Sequence, residues 1–196
     1  MKQKPGGPMG DTPSRAGRVS EARNGMSVEE RRNLTLIGMP GSGKTTNGVF
    51  LARAAGLRFV DTDRMVERAA GRPLRELAAD LGAEGFRDLE GRVIRELDLT
   101  GSVIATGGSV IYREAAMERL RAISRVVYLR LSYETVAARL RDLRRRGVSL
   151  QEGQTLRELY DERCPLYERW ADCALDCDGL KPREIVAGIL TLTGRA

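Results

Sequence analysis

The chain contains no histidine. That absence removes Ser-His-Asp and Cys-His hydrolase mechanisms. Cysteine is scarce as well, with only Cys164, Cys173 and Cys177. The pair Cys173-x3-Cys177 has no second ligand pair, which argues against zinc. An odd count reads as free, partly buried thiols in a cytoplasmic chain. Aromatic residues make up 5% of the 196 residues, so Leu, Val, Ile and Ala must build most of the core. No run approaches the roughly 18 consecutive apolar residues of a membrane span. The N-terminus shows no apolar signal-peptide segment, so a cytoplasmic location is expected.

The net charge is +6, from 33 basic and 27 acidic residues. Residues 1–32 hold seven Lys/Arg against four Asp/Glu, which is +3 of that total. The remainder suits a site for anionic nucleotides. Basic residues do not alternate with aromatics, so no nucleic-acid partner is expected. A length of 196 residues with 41% hydrophobic content fits one α/β domain.

Residues 1–32 begin with a Pro/Gly-rich stretch and lack apolar periodicity, so a disordered N-terminal tail is expected there. Met26 could be the true start. A basic transit peptide is a weaker reading, because Asp11 and Glu21 interrupt it. From residue 33 to 196 the pattern predicts a single domain. Short apolar runs predict strands at Leu34–Ile37, Arg58–Val60, Val103–Ala105, Arg125–Leu131 and Ala174–Leu175. Helices are expected near 44–55, 64–70, 74–81, 83–97, 113–121, 132–143, 155–169 and 182–193. Gly56 and Gly71 follow helix ends, Ser132 is a plausible N-cap, and Thr155 with Glu158 fits a capping box. This alternation implies a parallel sheet covered on both faces.

The most informative stretch is residues 38–45, Gly-Met-Pro-Gly-Ser-Gly-Lys-Thr. It fits the phosphate-loop pattern G-x-x-x-x-G-K-[ST], with a strand before it and a helix after it. Gly41, Ser42 and Gly43 present backbone N–H groups to an anion. Lys44 adds a mobile charge, Thr45 offers a hydroxyl to Mg²⁺, and Thr46 continues the helix start, whose dipole favours phosphate.

Four further features surround this loop. Asp61-Thr62-Asp63 follows the second strand, and an extended segment would point both carboxylates one way. One can organise Mg²⁺ through water, while the other accepts a proton from an attacking hydroxyl. Either aspartate alone would read as a helix N-cap. In Phe86-Arg87-Asp88-Leu89-Glu90, the residues Phe86, Leu89, Val93 and Leu97 read as a core stripe. Arg87 lies beside that stripe, either at a pocket edge or on the surface. Thr106-Gly107-Gly108-Ser109 ends the third strand, where glycines admit a ligand or simply make a turn. The run Arg139 to Gly147, with Arg139, Arg141, Arg144, Arg145 and Arg146, reads as a glycine-hinged lid at about 144–154 or as a solvated basic helix end.

In this order the motifs resemble the shikimate kinase family. They are the phosphate loop, Phe-Val-Asp-Thr-Asp, Phe-Arg-Asp-Leu-Glu, Ile-Ala-Thr-Gly-Gly-Ser and Glu-Arg-Cys-Pro-Leu-Tyr. The resemblance spans about residues 33–193. It implies an α/β fold with a five-stranded parallel sheet of the nucleoside-monophosphate-kinase type and a mobile lid. It further implies ATP and a small hydroxy acid as substrates, with Mg²⁺. Lys44 and Thr45 would serve the phosphates and metal, and Asp61 would assist through water. Asp63 would act as base at the acceptor hydroxyl. Arg87 and Arg163 would clamp a carboxylate, as guanidinium forks do well. Gly107 and Gly108 would line the pocket, with Ser109 at its floor. Arg146 is the leading lid arginine for the transferring phosphoryl group, and Arg139 would stack on adenine. A monomer with no membrane contact is expected.

Two departures bear on the acceptor. Ser109 stands at the usual third glycine, and Arg146-Gly147-Val148-Ser149-Leu150 replaces the usual Arg-Pro-Leu-Leu. Shikimate is the first expected acceptor and homoserine the alternative. A nucleotide-binding protein with impaired catalysis and a nucleoside monophosphate kinase are the rival classes.

Overall fold

The computed structural model describes residues 33–140 and 154–195. The expected tail at 1–32 and lid residues 144–153, Arg146 among them, lie outside those residues. Among the described residues, five strands form one sheet: β1 (Asn33–Ile37), β2 (Arg58–Asp61), β3 (Ser102–Ala105), β4 (Ser124–Arg130) and β5 (Cys173–Asp176). The helices are α1 (Lys44–Ala55), α2 (Thr62–Ala70), α3 (Leu74–Arg95), α4 (Glu114–Ile123), α5 (Tyr133–Leu140), α6 (Leu156–Trp170) and α7 (Pro182–Leu192). A 3₁₀ turn at Val110–Tyr112 was not expected from the pattern.

The strand order is β2-β3-β1-β4-β5, and every pairing is parallel. All residues of β1 and β3 are buried, although successive side chains face opposite ways. Both faces of the sheet are therefore covered, as the apolar strand pattern requires. Helices α1 and α7 pack on each other, and α4 and α6 pack on β4. Leu36, Ile37, Val103, Ile104, Val126, Val127 and Leu129 are all fully buried. Each such side chain contributes about 1.5–3 kcal/mol by leaving water. At the other end of the sheet, Asn33 ties strands together. Its Oδ1 accepts from Ser102 N–H at 2.9 Å, and its Nδ2 donates to the Ile123 carbonyl at 2.9 Å.

The register places the site. Leu36 of β1 and Asp61 of β2 both pair with Ala105 of β3. The loops after β1, β2 and β3 therefore leave the sheet side by side. β1 also pairs with β4 on its other flank, so this is the point where the strand order reverses and α/β sheets bind ligands.

Two local expectations change. α2 starts at Thr62 rather than residue 64, because Asp61 caps it. The break expected between helices 74–81 and 83–97 is present: within the α3 span Gly82 is non-helical (φ 65°, ψ −177°) and kinks the chain between two helical segments. The core stripe on α3 is also shifted. Its buried residues are Leu77, Glu90, Gly91 and Ile94, whereas Phe86, Leu89 and Val93 are half-buried; Leu97, just past the end of α3, is buried as expected. Gly91 explains the rotation: a Cβ there would lie 3.2 Å from Arg113 Cγ, so the helix turns its smallest residue toward a close neighbour. Thr155 and Glu158 form the expected capping box.

Candidate active site

Glycine geometry shapes the phosphate loop. Gly43 caps α1 at φ 88°, where a side chain would be strained, and a Cβ there would lie 2.8 Å from Asn47 Nδ2. Ser42 N–H donates to the Met39 carbonyl at 3.0 Å and closes the turn. No acidic residue sits in the first turn of α1. Its positive end is thus left for an anion.

Lys44 is buried, and its Nζ donates to the Gly38 and Met39 carbonyls at 2.8 and 3.0 Å. Burial pulls its pKa down to about 8, opposed chiefly by Asp63. Arg139 of α5 donates to the Gly41 carbonyl at 3.0 Å, which brings this arginine to the nucleotide loop. Thr45 and Thr46 are exposed at the start of α1.

Asp61 and Asp63 meet, but not as alternate residues of an extended segment. β2 ends at Asp61, and Asp63 lies in the first turn of α2. Asp61 Oδ1 accepts from Asp63 N–H at 3.0 Å, and its Oδ2 accepts from Thr45 Oγ1 at 3.1 Å. Asp61 is therefore both a helix cap and the partner of the phosphate-loop threonine. Burial raises the pKa of Asp63, the negative charge of Asp61 adds to the rise, and Lys44 opposes it. A carboxylate with a raised pKa is a better proton acceptor.

The Thr45 hydroxyl and Asp61 carboxylate form an all-oxygen pair. Among the described residues, no group of three or more His, Cys, Asp or Glu makes a closed metal cage. Two oxygen donors that leave the other positions to water and phosphate oxygens suit Mg²⁺.

Gly107 and Gly108 end the third strand's loop against this centre. A Cβ on Gly107 would lie 2.2 Å from Glu90 Oε1 and 3.0 Å from Asp63 Oδ1. A Cβ on Gly108 would lie 3.1 Å from Arg163 Nη1. No side chain fits at either position without moving these groups. Ser109 does not open onto a free pocket floor. Its hydroxyl donates to Glu90 Oε2 at 2.7 Å.

Glu90 was not among the expected site residues. It is 2% exposed, and its Oε1 is buried without a hydrogen-bond partner among the described residues. Burial pushes its pKa up to about 7, while the hydrogen bond from Ser109 opposes the rise. Its signal in the sequence is spacing: Glu90 lies one turn before the core residue Ile94 on the same face of α3.

Arg87 and Arg163 both reach the side chain of Tyr112. Arg163 is 6% exposed on α6, and Arg87 reaches in from α3. Tyr112, also missed in the sequence, touches both. The Arg87 Cζ lies 3.9 Å from its ring centroid, and Arg163 Nε donates to its hydroxyl at 3.1 Å. Arg87 also pairs with Glu84. Tyr167 donates from its hydroxyl to the Gly108 carbonyl at 2.7 Å, pinning the glycine loop to α6. A phosphate loop, the half-buried Asp61–Asp63 pair and two guanidiniums around Tyr112 thus share one cleft.

A sequence profile described as shikimate kinase matches residues 40–193. The chain belongs to the shikimate kinase family. It is 41% identical over 162 residues to the shikimate kinase of Pseudomonas paraeruginosa, covering 81% of this chain and 94% of that protein. It is 36% identical to the shikimate kinase of Thermodesulfovibrio yellowstonii, covering 81% of this chain and 93% of that one. The shikimate kinase of Acinetobacter baumannii, solved in complex with shikimate, shares the fold with a TM-score of 0.74 and 34% identity, over 82% of this chain and 92% of that one. For this member of the shikimate kinase family, the matched span contains every candidate residue from Gly41 to Arg163. No helix among the described residues is long and apolar enough to cross a membrane.

Proposed function

We propose that the chain transfers the γ-phosphoryl group of ATP to a hydroxyl of shikimate, giving ADP and shikimate 3-phosphate. The observation that carries this reading is the position of Asp63. It feels Lys44 of the phosphate loop on one side and stands against Gly107 and its neighbour Glu90 on the other. A hydroxyl bound between the glycine loop and Asp63 would therefore face the end of the nucleotide.

Phosphoryl transfer requires mainly positioning and charge neutralisation. Arg87 and Arg163 bind the acceptor's carboxylate and fix its distance from the phosphate loop. Asp63 accepts the hydroxyl proton as the oxygen attacks. Lys44 exchanges its bonds to the Gly38 and Met39 carbonyls for the terminal phosphate oxygens. That anion restores its full charge, because a neighbouring negative group raises an ammonium pKa. Thr45 Oγ1 and, through water, Asp61 would hold Mg²⁺, which supplies charge neutralisation on the phosphates when bound. Arg139 would sit at the nucleotide's edge, and Arg146 would close over the transferring group. The enzyme would work in the cytoplasm.

The test is ADP release in the presence of shikimate, homoserine, gluconate, AMP or CMP. Shikimate alone should give strong turnover. Stimulation by homoserine only would make the chain a homoserine kinase. Stimulation by AMP or CMP only would make it a nucleoside monophosphate kinase. Tight ATP binding without turnover on any acceptor would leave a binding protein.

A further inference from the structure

We infer that Tyr112 is a positioning residue for the carboxylate end of the acceptor: its ring and hydroxyl hold Arg87 and Arg163 together so that both meet one carboxylate. The inference rests on the kinase reading above. Two guanidiniums directed at one small anion repel each other until it arrives. Tyr112 offsets that repulsion with the chain's own atoms. Its ring centroid lies 3.9 Å from Arg87 Cζ and 5.3 Å from Arg163 Cζ. Both lie within the roughly 6 Å at which a ring face attracts a cation.

The hydroxyl adds direction. It accepts the Nε–H of Arg163 at 3.1 Å, and Tyr167 also hydrogen-bonds that guanidinium, whose remaining N–H groups are the donors for a ligand. Gly108 leaves room for that guanidinium, since a Cβ there would crowd Nη1. Arg87 is also held by Glu84, but the Glu84 side chain is 68% exposed whereas that of Arg87 is 12% exposed. An incoming carboxylate can therefore displace Glu84, while the aromatic face stays in place.

Tyr112 is itself anchored. Its N–H donates to the Ser109 carbonyl at 3.1 Å, in the turn whose Ser109 hydroxyl holds Glu90. Arg87 comes from α3 and Arg163 from α6. No local feature of either helix sets their spacing, and a residue that touches both is placed to do so.

The test compares steady-state kinetics of wild type, Tyr112→Phe and Tyr112→Leu. Each is assayed with shikimate and with its carboxamide, in which the negative charge is gone. For Tyr112→Leu, KM for shikimate should rise about 10- to 30-fold, the size expected for losing a desolvated cation–π pair and a hydrogen bond. kcat should stay within about threefold and KM for ATP should not move, because the phosphate loop is untouched. Tyr112→Phe keeps the ring and should raise KM roughly two- to fivefold. With the carboxamide, variant and wild type should be nearly equal.

Equal losses with both acceptors would mark Tyr112 as merely structural and overturn the inference. An unchanged KM for shikimate in Tyr112→Leu would also overturn it. If Tyr112→Leu fails to fold, an unchanged KM in Tyr112→Phe decides against the inference in the same way. Absence of shikimate turnover by the wild type would instead defeat the kinase reading, and this inference with it.

Discussion

The two halves of the cleft are built in opposite ways. The nucleotide half centres on one contiguous stretch, residues 38–45, working mostly through backbone N–H groups and a helix end, with Asp61 and Arg139 joining it from outside. The acceptor half is assembled from side chains on α2, α3, α6, the glycine loop and a 3₁₀ turn. A backbone site needs glycine geometry at fixed spacing and little else. A side-chain site needs the whole fold to bring its parts together. The first tolerates variation around it, while the second can be retuned by single substitutions such as Ser109 or Tyr112.

This contrast makes mutations in the two halves separable. The largest effect should come from the nucleotide half. Lys44→Ala removes the mobile charge on the terminal phosphates and should lower kcat on the order of 10³-fold. KM for shikimate should change little, and an ADP-release assay reads both constants. Full activity would break the argument that the loop acts on phosphate.

In the acceptor half, Arg87→Ala should raise KM for shikimate and spare KM for ATP. Leaving a carboxylate unpaired there costs about 2–4 kcal/mol, which is roughly 30- to 1,000-fold. An unchanged KM would show that Arg87 only pairs with Glu84 and stacks on Tyr112.

The smallest effect is on stability, and it depends on pH. Burial raises the Glu90 carboxyl from 4.5 to about 7, so the folded chain holds a proton there that the unfolded chain releases. The stability contributed by the protonated form is complete below about pH 4.5 and is lost as pH rises through about 7. Glu90→Gln cannot ionise but can still accept from Ser109. At pH 8.5 it should be more stable than wild type by up to about 3 kcal/mol, or roughly 6–12 °C in Tm. The gap should close toward pH 5. A gap that does not vary with pH would mean that Glu90 is paired in a way its unpartnered Oε1 does not suggest.

The same contrast explains what was legible in the sequence. The phosphate loop could be read in full, because its chemistry depends on local spacing. Parallel strands alternating with helices could also be read, since fully buried strands such as Val103–Ala105 are apolar throughout. Asp63, Arg87 and Arg163 were legible as members of motifs. Their partners were not. Glu90 lies on the buried face of α3, yet a glutamate counts as polar in any periodicity argument, so the expected stripe fell on Phe86, Leu89, Val93 and Leu97, of which only Leu97 is fully buried. Tyr112 sits in a three-residue turn that no pattern announced, and it acts on helices distant in sequence. The pairing of Asp61 with Asp63 was anticipated for the wrong geometric reason. A helix cap joins them, not the alternation of a strand.

The central claim is that Asp63 takes the proton from a hydroxyl aimed at the nucleotide's terminal phosphate. The most direct measurement is the kcat of Asp63→Asn with ATP and shikimate, with binding of each substrate measured separately. The account predicts a loss of at least about 10²-fold in kcat with both substrates still bound. An Asp63→Asn enzyme that turns over shikimate at the wild-type rate would contradict it.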